Sequence, residues 1–363
     1  MDAELAWPAN VPVLTDGVVT LRAHGRDDVD RMLEFVSDAQ MTRWTTVPTP
    51  YRRADAEAFL RDDLPHGWDT DTNRCWAIEF EGRFVGNVDV RGAGPIGDIG
   101  FGLHPDARGR GVMRRAVVLA LDHAFATGRQ VMTWTCAAGN QDSLRVAHRC
   151  GFALHATLPD AVDIRGDICD AWSGSIRAGD RYAPKSVWRA TTFETDRFRL
   201  RPTVEADDER IREMLDDPTT RRYLSERPSP LTLADARRER HRKWWRAARG
   251  EACSWAIADR ADDRFLGDIT LFAIDDVLAA DVGFCTHPDS RRRGVLTEAL
   301  PAVARHAFDV LDVGALALWT AQGNAGGNAV ARSAGFRRIG HRTSAARSGD
   351  DVEDLIGYEL LRG

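Results

Sequence analysis

The sequence predicts an α+β fold written twice in one chain of 363 residues. Three observations predict it. Asp98 to Met113 (DIGFGLHPDARGRGVM) reappears as Asp281 to Leu296 (DVGFCTHPDSRRRGVL), identical at 10 of 16 positions. Asn140 to Gly151-Phe152 then matches Asn324 to Gly335-Phe336, and Trp76-Ala77-Ile78 matches Trp255-Ala256-Ile257, at offsets of 184 and 179 residues. A period this long is a duplicated domain, not a solenoid repeat. Within each copy, finally, short strand-like runs alternate with segments of helical spacing.

The elements follow in order. Gly17 to Arg22 and Phe198 to Arg201 read as a first strand, each followed by a charged helical stretch, Asp27 to Val36 and Glu205 to Leu215. Trp76 to Phe80, a Glu81-Gly82-Arg83 turn and Phe84 to Val90 read as a hairpin. Asp98 to Leu103 is a strand that His104-Pro105 ends, because proline biases its predecessor away from helix. Val112, Ala116, Leu119, Ala120 and Ala124 keep helical spacing as far as Gly128. Val131 to Thr135 is a strand, Ser143 to Cys150 a helix, and Gly151-Phe152 opens another strand. The proline-containing, polar segment 181–194 reads as a linker between domains 1–180 and 195–363. Pro301, about two turns into the second copy's long helix, is expected to kink or shorten it.

Composition narrows the function. With 43% hydrophobic and 29% charged residues the chain is neither disordered nor collagen-like. Lys and Arg number 49 against 55 Asp and Glu, a net charge of −6, the wrong balance for a general nucleic-acid binder. Any anion site is therefore a local arginine cluster. No apolar run of about 18 residues exists, so no membrane span is expected. Met1 to Gly17 lacks a basic stretch followed by an apolar one, so no secretory signal is expected and the chain reads as cytoplasmic. Six cysteines without C-x-x-C spacing read as reduced, mostly buried thiols, with no metal site.

The chemistry concentrates between the strand and the long helix. Arg108-Gly109-Arg110-Gly111 fills the turn, and Arg291-Arg292-Arg293-Gly294 repeats it. The first N–H groups of a helix have no internal partner, and with the helix dipole they attract an anion. Glycine lets the backbone approach closely, and arginine adds bidentate contacts.

The whole pattern resembles the GNAT acetyltransferase superfamily in its RimJ/RimL-like branch, across nearly the entire chain. The resemblance rests on the R-x-x-G turn behind D-[IV]-G-F…H-P-D, on N-x-x-S-x6-C-G-F (Asn140, Ser143, Gly151, Phe152), and on Asn324 with Gly335-Phe336. It implies two tandem domains, each a mixed, mostly antiparallel sheet flanked by helices, whose fourth and fifth strands splay around acetyl-CoA. It implies cofactor contacts at Leu103, Arg108, Gly109, Arg110, Gly111, Val112, Met113 and Asn140, and at Thr286, Arg291, Arg292, Arg293, Gly294, Val295, Leu296 and Asn324. A backbone N–H near Leu103 or Thr286 would polarise the thioester carbonyl. The implied reaction is direct acetyl transfer to a primary amine of a peptide N-terminus or small molecule. The alternative is a non-catalytic CoA-binding scaffold on a duplicated fold. By analogy with related dimers, the resemblance also implies a monomer with an internal pseudo-two-fold.

Three side chains are catalytic candidates. Asp98 and Asp281 begin the fourth strand, where relatives often carry an acid, and either can draw a proton through water or simply contact a neighbouring arginine. Ser143 matches the position proposed in this branch to protonate the departing thiolate, although serine there also suits a helix start. The second copy has Gly327 instead, with Asn328 beside it, so the first domain is expected to be the stronger catalyst. Glu79 (Ala258 in the other copy), His104 and His287 are weaker candidates. Trp244-Trp245, on a basic helix, reads either as an acceptor pocket or as packing.

Overall fold

The computed structural model describes residues 11–224, 230–274, 279–348 and 351–363. The chain divides into two compact units, Met1–Lys185 and Ser186–Gly363.

Each unit is built on one eight-stranded sheet. In the first, β1 (Leu14–Thr15), β2 (Val19–Arg22), β3 (Asn73–Phe80), β4 (Arg83–Arg91), β5 (Ile96–Leu103), β6 (Val131–Ala137), β7 (Ala153–Ile164) and β8 (Asp167–Arg177) lie in the order 1-2-3-4-5-6-8-7. The second has β9 (Phe193–Glu194), β10 (Phe198–Arg201), β11 (Ala252–Asp259), β12 (Phe265–Phe272), β13 (Ala279–Thr286), β14 (Ala315–Ala321), β15 (Arg337–Ser348) and β16 (Asp351–Leu361). It repeats the same order, 9-10-11-12-13-14-16-15. All pairings are antiparallel except β5 with β6 and β13 with β14.

The helices divide between the two faces. The first unit has α1 (Val29–Val36), α2 (Ala39–Trp44), α3 (Arg53–Ala58) and α4 (Leu64–Asp69) before the β3–β4 hairpin, then α5 (Val112–Ala126) and α6 (Gln141–Arg149). The second has α7 (Asp208–Asp216), α8 (Pro218–Tyr223), α9 (Leu233–Ala248), α10 (Val295–Asp309) and α11 (Ala325–Ser333). Leu200, Trp255, Val282 and Leu316 bury one face of the second sheet against Ala299, Val303 and Ala307 of α10. Ile211, Met214 and Ala236 of α7 and α9 bury the other against Ala256 and Phe265. Leaving water is what holds these layers together, at about 25 cal/mol per Å² of apolar surface.

Pro301 does not shorten its helix. It lies inside α10, yet that helix runs 15 residues, as long as its proline-free counterpart α5. Packing of its apolar stripe on the sheet outweighs the one lost hydrogen bond.

Four cations of the basic helix α9 are paired with carboxylates, two within the helix and two on neighbouring elements. Arg240, 2% exposed, pairs with Asp208 through two hydrogen bonds of 2.6 and 2.8 Å, and Lys243 pairs with Asp268. Arg238 and Arg242 meet Asp235 and Glu239. Trp245 is buried, while Trp244 donates to the Thr203 carbonyl and lies under the Arg240 guanidinium. Both indoles are thus packing residues. All six cysteines are free, and no described helix is long and apolar enough to cross a membrane.

Candidate functional site

The site is a gap in each sheet. β5 runs eight residues but pairs with β6 only over Ile96–Asp98; β13 likewise pairs with β14 only over Ala279–Asp281. Beyond Asp98 and Asp281 the strands part. Successive peptide groups of a strand point to opposite sides. The His104 N–H donates to Val85 of β4, so the N–H groups of Leu103, Phe101 and Ile99 turn toward the gap. His287 donates to Leu266, which gives Thr286, Phe284 and Val282 the same orientation. Sequence reasoning had named only the last residue of each row, because the alternation depends on a register it could not see.

At the open end of each gap lies the turn. Gly111 and Gly294 are the N-caps of α5 and α10, with φ of 77° and 74°, and no side chain caps either helix. The first intrahelical bonds run from Arg115 to Gly111 and from Glu298 to Gly294. The N–H groups of Gly111, Val112 and Met113, and of Gly294, Val295 and Leu296, therefore have no helical acceptor. Gly109 also takes a left-handed φ of 74°; its counterpart Arg292 takes 56° despite having a side chain. On the opposite wall Asn140 and Asn324 cap α6 and α11, accepting from the N–H of Ser143 (3.1 Å) and of Gly327 (2.9 Å).

The arginines divide into two kinds. Arg108 and Arg291 are struts: each donates at 2.5 Å to the aspartate that caps the N-terminus of α2 or α8, Asp38 or Asp217. Burial pushes both carboxyls up, but the guanidinium and cap hydrogen bonds outweigh it and hold them below the usual range. Arg110 pairs with exposed Glu81 and lies over the Phe80 ring. Arg292 and Arg293 have no carboxylate partner among the described residues, so the second turn keeps more free positive charge.

At the vertex, Asp98 accepts from Arg91 (3.0 Å) and from the Thr133 hydroxyl (3.1 Å). Burial raises its pKa and Arg91 opposes the shift; Asp89, on the same arginine at 2.9 Å, is raised by burial and by Asp98. Asp281 is likewise raised by burial, with Arg342 opposing. Ser143 accepts a hydrogen bond from the buried Trp134 indole at 3.0 Å. In the second copy Leu318 replaces Trp134 and Gly327 replaces Ser143, and a Cβ on Gly327 would lie 2.8 Å from the Thr320 hydroxyl. Asn328 is committed: its amide donates to three backbone carbonyls and its oxygen accepts from Tyr358 at 2.8 Å.

The other candidates have structural partners. Glu79 accepts from Arg22 at 2.6 Å. His104 and His287 cap the short turns that follow their strands and contact Asp106 and Asp289 at 2.8 Å. The gap of the second unit holds a cavity of about 740 Å³, bordered by Arg291, Arg292, Leu296, Trp319, Asn324 and Arg347.

A duplicated α+β domain with a splayed strand pair beside an uncapped, glycine-started helix is the architecture of the chain. The acetyltransferase (GNAT) domain profile matches residues 19–153 and 197–337, so the chain belongs to that family, as a tandem N-acetyltransferase. No curated protein matches it in sequence. Among solved structures it is similar to a GNAT-family acetyltransferase from Bacillus anthracis (18% identity, 47% of this chain and 98% of that one, TM-score 0.42). It is similar also to RimL, a ribosomal alpha-N-protein acetyltransferase (18%, 46% and 95%, 0.43). A third is Mycobacterium smegmatis RimJ in complex with CoA-disulfide (16%, 48% and 88%, 0.43).

Proposed function

We propose that each domain binds acetyl-CoA in its strand gap and that the first domain is the stronger catalyst of acetyl transfer to a primary amine. One observation supports this above the others: in both copies a row of outward-facing strand N–H groups leads from the vertex aspartate to an uncapped helix N-terminus. Acetyl-CoA, when bound, supplies an activated acetyl thioester.

The residues divide the work. The turns Arg108–Met113 and Arg291–Leu296 hold the pyrophosphate through backbone N–H groups, with Arg108 and Arg291 bracing the turn. Leu103 and Thr286 N–H groups, and those further along each strand, align the pantetheine arm and polarise the thioester carbonyl. Asn140 and Asn324 fix the facing wall. Asp98 and Asp281 take a proton from the incoming ammonium through water. As the amide C–N bond forms and the C–S bond breaks, Ser143 Oγ passes its proton to the departing sulfur and recovers one from the nitrogen, so its hydroxyl is restored; its lone pair accepts from Trp134.

Amine chemistry favours an α-amine. With a pKa of about 8 it is roughly 10% neutral at pH 7, against about 0.04% for a lysine of pKa about 10.4. The chain is proposed to act as a cytoplasmic monomer. Ser143→Ala tests the first domain: turnover falls about 10²-fold with acetyl-CoA affinity unchanged. Unchanged turnover removes the role of Ser143.

A further inference from the structure

The second domain carries a side-chain assembly that the first lacks. Trp319 of β14 pairs with Gly357 of β16, which pairs in turn with Gly340 of β15. A Cβ on Gly357 would lie 2.6 Å from the indole Cη2, so the ring lies where only glycine leaves room. Glycine inside a strand normally weakens it. Here its absence of side chain seats an indole, and the Arg342 guanidinium stacks on that indole with Cζ 4.1 Å from the ring centroid. By strand register the first copy has Thr135, Ala156, Ser173 and Leu158 at these four places. Four positions differ together: the indole requires glycine at 357, whereas a Cβ on Gly340 would meet it in ordinary contact at 3.6 Å.

The stack faces the acceptor side of the gap. Asp281 pairs with Ala317, two residues before Trp319, so Asp281 and Trp319 share a face. That face is the one covered by α8, because Cys285, also on it, lies 3.8 Å from the Thr220 hydroxyl. The uncapped turn belongs instead to α10, on the opposite face, whose apolar side packs with Val282. Trp319 borders the 740 Å³ cavity. Arg342 is exposed, feels Asp281 electrostatically, and has no hydrogen-bond or ion-pair partner among the described residues. A guanidinium held over an indole face, with no other partner, keeps N–H groups available for two oxygens.

We propose that the second domain selects an acceptor amine carrying an anionic oxygen group, carboxylate or phosphate, and that Arg342 braced on Trp319 recognises that group. The inference rests on the acetyl-transfer reading of this gap. The amine lies toward Asp281 and the anion toward Arg342, so one molecule must carry both. The first domain, with Leu158 at the same register, has no such preference.

The test uses the full chain in a Ser143→Ala background, which lowers the first domain's contribution. Glu-Ala-Ala-amide, Gln-Ala-Ala-amide and phosphoserine-Ala-Ala-amide are compared as acceptors. The glutamate peptide is expected to have a KM at least ~10-fold below that of the glutamine peptide, as a charge-assisted contact implies. Arg342→Leu, the residue the first copy tolerates there, is expected to close that gap. Trp319→Thr is expected to narrow it. A tighter phosphoserine peptide identifies phosphate as the group; a tighter glutamate peptide identifies carboxylate. An equal ratio in wild type and Arg342→Leu overturns the proposal. If no peptide is acetylated, calorimetric binding of the same peptides decides the anion preference by the same comparison. Loss of acetyl-CoA binding in the parent chain would instead sink the transferase reading of the gap.

Discussion

The two domains share a splayed strand pair and an uncapped helix turn and differ at the atoms around them. Both stop the parallel pairing after three residues, both leave a glycine-capped helix end uncovered, and both tie the first turn arginine to a capping aspartate. They part company at position 143/327 and on the far face of the fifth and sixth strands. The first has Trp134 with Ser143; the second has Leu318 with Gly327, and builds the Trp319–Arg342 stack instead. On the proposed function, what is repeated concerns acetyl-CoA, and what differs concerns the proton and the acceptor. On that reading, duplication has kept the donor site and varied the rest.

The largest expected effect lies in a device only the second domain owns. Asp208→Asn leaves Arg240 buried without its carboxylate and should cost about 3–5 kcal/mol, read by chemical denaturation; Val29 holds the equivalent place in the first domain. A loss under 1 kcal/mol would show that Trp244 alone supports the guanidinium.

A pH scan should separate the domains next. His24 is buried, its Nδ1 has no partner, and burial lowers its pKa to about 4. The folded first domain therefore favours neutral histidine. Its contribution is complete above the unfolded pKa of about 6.5 and is lost as pH falls toward 4, on the order of 3 kcal/mol in all. Thr203 occupies the matching position in the second domain, so hydrogen exchange should show only the first domain weakening through this group. His24→Thr should flatten the profile.

Smaller effects sharpen the comparison. Trp134→Leu installs the second copy's residue and should destabilise the first domain by about 2–3 kcal/mol through lost packing. Arg292→Gly relieves a left-handed residue and should stabilise the second domain by about 1 kcal/mol, read as a raised Tm. Glu81→Gln should change stability by no more than about 0.5 kcal/mol, because that pair is exposed, while freeing Arg110 and tightening acetyl-CoA.

Much of this was legible in the chain. The duplication, the order of strands and helices, and both anion turns follow from residues close together in sequence. What escaped depends on partners far apart. Arg108 finds Asp38 across 70 residues, and no local pattern marks either as a strut. Ser143 stood out as a helix-start serine, but its indole donor lies on a neighbouring strand. The Trp319 platform needed the register of three strands, since Gly340 and Gly357 look like breakers until an indole is laid across them. Pro301 misled in the other direction, because a local helix breaker gave way to tertiary packing.

We propose that the donor site is present twice. Calorimetric titration of the intact chain with acetyl-CoA tests it by stoichiometry. Two sites per chain are expected, with Gly111→Val removing one and Gly294→Val the other. A single site, or none, would contradict the claim that both gaps were kept for the same cofactor.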